Sequence, residues 1–476
     1  MLDSLVRVSR RVVCDHYASV RAEAHRFTII PAPIVLDSLS RAREYIDSNS
    51  WDVARNWKSL HQDVTAATTL SLKLSAALSA RNFYTLSIGT NLRREFMGFI
   101  FALAGIKTFT KEMILASNAC IEICKQCGQA NDLMTWMRYF HVGLGTEVLG
   151  ETSERVVSHF GDLVSDIYAM GLHHRPLEDV PLFVTETRKR MLSVSHRTDK
   201  NLATLLGRPP RLPHYYFNST VPLDIADDEL FLDAPSLDAV LQGLDDDGWN
   251  RDGKLYPSTV IWMRHFLSIL REQVLEISLG NRTARDHGDR LLRTYSLCEE
   301  ITVQIPTRFR YSPACWQTLD AIECLARSII HFEHVLIYGI PAAGVLATEL
   351  HSHTLANKPL LSAAPRSEII RTLSILTSWL QNSEMPPSST GAACIELTNV
   401  ISRLLDDTLN HQPDPSTQEP DQDITRPGVQ DVLDSAPSGS GISAPSEAFG
   451  IGLCGEEFLS WLDDLELDLV SLERFI

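Results

Sequence analysis

Cys120, Cys124 and Cys127 are the residues that come nearest to a metal-binding spacing. A structural zinc site needs four ligands at tetrahedral reach. No second Cys or His pair follows at a suitable distance, and His141 stands alone downstream. On a helix, positions 120, 124 and 127 share one face, which predicts a buried stripe of small apolar thiols. His331 and His334 are spaced for one helix face, and His351 and His353 lie near a helix end, but no carboxylate spacing completes a ligand set. Asp245-Asp246-Asp247-Gly248 has the acids of a calcium loop, yet position five from Asp245 is Trp249 where an oxygen ligand is required. That stretch reads as a solvated turn. The sequence has no glycine-rich phosphate loop, nucleophile elbow or HExxH helix. No catalytic and no metal-ligating residue is assigned, and the chain is not expected to be an enzyme.

The elements around these residues are helical. No proline occurs between Pro33 and Pro176, and segments 35–62, 63–80, 93–106, 110–127, 130–148 and 152–170 carry helical periodicity. A long helix over 181–206 ends at Gly207, with Arg208-Pro209-Pro210 after it. Glycine suits a left-handed C-terminal cap, and the prolines block continuation. Residues 211–257 read as an extended loop. Helices resume at 258–276, 283–304, 311–337, 342–355, 366–383 and 391–409. Strict two-residue alternation is rare, so the expected class is all-α. The longest smooth apolar stretch, residues 98–106, is far too short to cross a membrane, and no membrane partner is expected. Nine cysteines, an odd number at low density, fit a reducing compartment.

Charge is placed unevenly. From His411 to the C-terminus there are fourteen acids and two bases, so this stretch carries −12 of the net −17. Six of the 23 prolines fall within 411–447, among Ser, Gln, Asp and Gly, a composition that cannot bury enough apolar surface to offset ordering entropy. That window is read as a disordered linker. Beyond it, Phe458, Leu462, Leu465, Leu469, Leu472 and Ile476 form one helical stripe, with Trp461 beside it and most acids off it. An acidic amphipathic helix on a tether is a ligand for a hydrophobic groove, and this composition is usual in transcriptional activation segments. The competing expectation is that it docks on its own bundle.

The stretch Glu186 to Leu230 resembles the signature of the fungal-specific transcription factor domain, the middle region of fungal zinc binuclear cluster regulators. The resemblance rests on an acid followed by bases at a helix start (Glu186, Arg188, Lys189, Arg190), on Arg197 and Asp199 further along, on the turn Gly207, Arg208, Pro209, Pro210, and on Pro222 and Asp224 at the end of the loop. It covers roughly residues 60–355. The three bases are expected to face solvent or pair with acids, and Arg208 to reach helix carbonyls or an acid. The resemblance implies zinc-dependent DNA binding through a six-cysteine cluster. Only Cys14 lies in the first 119 residues, so zinc is implied by the family alone, no cofactor is expected in this chain, and direct DNA contact would require a cluster upstream. A second resemblance is smaller: Asp463-Asp464-Leu-Glu466-Leu-Asp468 resembles the aspartate-rich magnesium site of helical terpene synthases, although a second metal motif is missing.

The expected organisation is a lead segment over 1–54, a helical regulatory body over 55–410, the linker over 411–447 and an acidic activation segment over 448–476. The expected function is regulation, read as activation, of RNA polymerase II genes in a fungal nucleus. Phe458, Trp461, Leu462, Leu465 and Leu469 would contact a coactivator or mediator-type protein, and the body would form a homo- or heterodimer. The alternatives are a helical small-molecule-binding or terpene-synthase-like protein and a scaffold or cofactor that does not bind DNA.

Overall fold

The computed structural model describes residues 29–310 and 340–411, each with short breaks. Among the described residues the chain is all-α, with helices and short 3-10 turns, and one isolated bridge between Leu244 and Asn250 in place of a sheet. They fall into two compact units, one within residues 1–334 and one within 335–467. No helix among them is long and apolar enough to cross a membrane. The expected helix over 311–337, the linker and the whole 448–476 segment lie outside the described residues.

The first unit contains α1 (Ala32–Ser48), α2 (Val53–Thr69), α3 (Arg94–Lys107), α4 (Thr110–Cys127), α5 (Asp132–Leu149), α6 (Glu154–Ala169), α7 (Leu182–Leu206), α8 (Ala234–Gln242), α9 (Pro257–Ser278) and α10 (Ala284–Gln304). The smooth apolar stretch of the sequence is α3. Phe96, Met97, Phe99, Ile100, Phe101 and Ala102 are all buried, as befits a helix that is apolar all round. It packs against both α4 and α5. Two glycines, seven residues apart, permit that approach. A Cβ on Gly98 would stand 2.2 Å from Met137 Sδ and 2.8 Å from Cys120 Cβ, and one on Gly105 would stand 2.6 Å from Leu144 Cδ2. Around α3, Phe83, Trp136, Phe140 and Phe183 extend the core through tilted and edge-on ring contacts.

Periodicity predicts helices over 35–62 and 63–80. The structure instead ends α1 at Ser48 and α2 at Thr69. The stop has a side-chain cause from far along the chain. Buried Arg93 donates to the carbonyls of Ala67, Thr68 and Leu70, satisfying the last turn of α2, while pairing with Glu95 at 2.9 Å. The expected loop over 211–257 holds α8 and two short 3-10 turns, so it is more ordered than its composition suggests.

The second unit consists, among the described residues, of α11 (Ile340–Leu355), α12 (Arg366–Asn382) and α13 (Ser389–Asn410). Helix α13 packs against both others. Ala343, Ala347, Leu350, Ile369, Leu373, Leu380, Ile401 and Leu405 form the core. His351 Nδ1 lies 3.2 Å from Thr408 Oγ1, joining α11 to α13.

Candidate functional site

Helix α7 is the spine of a buried polar network in the first unit. Its N-terminal half carries the charges singled out by the resemblance. Arg188 grips Asp132 with two parallel bonds, Nε to Oδ1 at 2.7 Å and Nη2 to Oδ2 at 2.8 Å. Asp132 opens α5, so the clamp joins two helices at a dipole end that favours the carboxylate. Lys189 donates to Glu186 Oε1 at 2.7 Å, and Glu186 Oε2 accepts from the Leu223 amide at 2.6 Å. Arg190, fully buried, pairs with Asp227 Oδ1, and Asp227 Oδ2 accepts the first amide of α1 from Ala32 at 2.9 Å. All three bases therefore pair with acids inside the fold.

The second half of α7 is joined to the Gly-Arg-Pro-Pro turn. Gly207 adopts φ 58° and ψ 31°, the left-handed region, and the Arg208 amide donates back to Ala203 O at 3.1 Å. The Arg208 side chain is exposed and takes no acid among the described residues, so only its backbone reaches the helix carbonyls. Gly207 and Pro209 are exposed and Pro210 is half-buried. The turn folds the next residues back over α7. Asp199 Oδ1 accepts from the Arg211 amide and Oδ2 from the Leu212 amide, each at 2.9 Å. Lys200, fully buried, donates to Asp199 Oδ2 at 2.8 Å, to Leu212 O at 2.8 Å and lies 2.9 Å from Glu272 Oε2 on α9. Three acceptors for three ammonium hydrogens make Lys200 a strut between α7, the loop and α9.

Three imidazoles complete this junction. His196 Nε2 donates to Glu272 Oε2 at 3.1 Å, and the His214 amide donates to both Glu272 oxygens at 3.0 Å. His265 from α9 lies against both, with ring centroids 5.1 Å from His196 and 5.7 Å from His214. Burial, with Lys200 and His214 beside it, holds His196 well below the ordinary histidine value, and burial does the same for His265. Among the described residues no group of three or more His, Cys, Asp or Glu is arranged to hold a metal ion.

Comparison of the chain with protein-family models, with curated proteins and with solved structures finds no match.

Asp224, from the Pro-x-Asp step of the resemblance, is a second hub. It accepts from the Asn250 amide at 3.0 Å, from Asn250 Nδ2 at 2.6 Å, and from Thr259 and Ser258 at the start of α9. Burial pushes its carboxyl up from the usual carboxylate value against the pull of these donors. Next to it the Asp245 turn closes on itself, with Asp245 Oδ1 accepting from the Asp247 and Trp249 amides and Oδ2 taking Arg308. Trp249, which spoils the calcium spacing, is buried and stacked on Trp262 at 3.9 Å and 4°.

The thiols of Cys120 and Cys124 are buried in the α3–α4–α5 core, as the helical spacing predicts for these two. Burial pushes the Cys120 thiol up to about 12 and the Cys124 thiol up as well, so both behave as apolar groups. His331, His334 and the five tail residues Phe458, Trp461, Leu462, Leu465 and Leu469 lie outside the described residues. Sequence reasoning missed His196, Lys200, His214, His265 and Glu272. Their separations carry no local signal, since Glu272 meets His196 across 76 positions.

Proposed function

We propose that this chain is a transcriptional regulator of RNA polymerase II genes in a fungus, acting in the nucleus. The helical units form the regulatory and dimerisation body, and residues 448–476 form an acidic activation segment. Phe458, Trp461, Leu462, Leu465 and Leu469 engage a coactivator or mediator-type protein. The aromatic and leucine face supplies binding energy, and the fourteen acids beyond residue 410 speed the encounter with a basic-rimmed groove.

One observation carries the reading. Of the residues on which the family resemblance rests, Glu186, Arg188, Lys189, Arg190, Asp199, Gly207 and Asp224 each do a structural job within the first unit. Signature charges spent on internal cross-links fit a regulatory body better than a reaction centre. Zinc and direct DNA contact enter only through the resemblance, because the six cysteines that would hold the metal are not in this sequence.

The test is a reporter assay in yeast with residues 448–476 fused to a heterologous DNA-binding domain. The fusion is expected to activate, and Trp461→Ala with Leu465→Ala is expected to abolish activation at equal protein level. Unchanged output from the double variant would remove the basis of the proposal.

A further inference from the structure

The His196–His214–His265 cluster does work that the regulatory reading does not use. The segment 208–217 is fastened to the first unit by fully buried Leu212, by the Arg208 amide on Ala203 O, and by a set of polar bonds. The Arg211 and Leu212 amides go to Asp199, Leu212 O takes Lys200, the His214 amide goes to Glu272, and Arg211 Nη1 donates to Val157 O at 2.7 Å. Three imidazoles sit among these fasteners with ring centroids 5.1–5.9 Å apart. The charged and titratable groups around them are Asp199 and Lys200 from α7, Glu272 and Arg271 from α9, and Tyr168 from α6. Arg271 is turned onto Asn201.

Where an extra proton would land decides the consequence. His196 already donates through Nε2 to Glu272, so a second proton goes to Nδ1, which is buried and has no acceptor. His265 Nδ1 is likewise buried without a partner. A cationic imidazole has two N–H donors, and each left without an acceptor in a buried site is costly. Lys200 places a fixed positive charge beside both rings. His214 and Phe217, both on the segment, lie against the His196 and His265 rings, so moving the segment away uncovers both rings.

We infer that this imidazole cluster is a proton-operated latch, and that acidification from about pH 7 to about pH 5.5 shifts segment 208–217 toward opening from α7 and α9. The sign follows from linkage. Both rings are held neutral in the closed state, so their contribution to closure is complete well above the open-state value near 6.5 and is lost as pH falls below it. With an open-state value of about 6.5, each ring shifts the opening equilibrium by about eightfold over this interval, and the two by about 70-fold. His214, half-buried and with the Glu272 charge opposing its burial, adds less. The exposed pair Tyr215 and Tyr216 rides on the released segment, so the latch alters the surface that the unit presents.

The experiment is hydrogen exchange with mass spectrometry on the full chain at both pH values, corrected for intrinsic rates. Peptides covering 208–217 are compared with peptides from α3 to α5, which report opening of the whole core. His141 on α5, held down to about 3 by burial, belongs to that second process. Exchange in 208–217 is expected to gain about 70-fold more than its intrinsic correction while α3–α5 stay protected, and His265→Leu is expected to cut the gain to about eightfold. His196→Gln, which keeps a donor toward Glu272, is the second variant and should do the same. Equal pH responses in the loop and in α3–α5, or an undiminished gain in both variants, would overturn the inference.

Discussion

Replacing Asp199 with Ala tests the idea that the signature residues of α7 hold the first unit together. The carboxylate accepts two amides at 2.9 Å and the Lys200 ammonium at 2.8 Å, and it is buried. Its removal leaves the Arg211 and Leu212 amides without their acceptor and costs Lys200 one of three. Breaking a buried ion pair by deleting one partner costs about 3–5 kcal/mol, most of it the penalty on the charge left behind. For a unit of this size that lowers the melting temperature by roughly 6–20 °C. The assay is urea unfolding followed by tryptophan fluorescence, since Trp136, Trp249 and Trp262 are all buried in this unit. Arg208→Ala, four residues before the first fastened amide's neighbour Leu212, is the surface control and should change stability by less than about 0.5 kcal/mol. An Asp199→Ala loss below about 1 kcal/mol would refute the claim that this network bears the fold.

Three further outcomes follow from the packing and the backbone. Gly98→Val should destabilise the first unit by about 3 kcal/mol or more in the same unfolding assay, because its Cβ alone meets Met137 Sδ and Cys120 Cβ at sub-contact distances; Gly207→Ala, with open space around it but φ 58°, should cost about 1–2 kcal/mol. Under native conditions a thiol reagent should spare Cys120 and Cys124 and modify half-buried Cys298, with mass spectrometry of the labelled peptides as the readout; labelling of Cys120 at the rate of Cys298 would contradict the packing described.

The helical class and most helix limits were readable because they depend on local pattern. The 182–206 helix and its glycine stop are local properties of a periodic stripe, a left-handed cap and two prolines. The end of α2 at Thr69 was not readable, because its cause is Arg93, some 24 positions away, and helix-favouring residues continue past the stop. The order within 211–257 was hidden for a related reason. Its Asp residues look like solvated turn formers, yet Asp224 and Asp227 are buried acceptors for groups on α9, α7 and α1. The signature charges could be picked out one by one, but their partners could not, since Arg190 finds Asp227 across 37 residues and His196 finds Glu272 across 76. Pairing of that kind is a property of the packed helices and leaves no spacing in the sequence.

The bond from the Ala32 amide to Asp227 spans 195 residues and fastens the first turn of α1. At a synthesis rate of about 5–20 residues per second, the ribosome needs roughly 10–40 s to deliver the acceptor after the donor has emerged. Through that interval Ile30, Ile34 and Leu39, all buried in the finished fold, wait for the surfaces that will cover them. The nascent chain therefore passes through a long window in which α1 keeps an apolar face uncovered, and slowing translation between codons 32 and 227 lengthens that exposure in proportion.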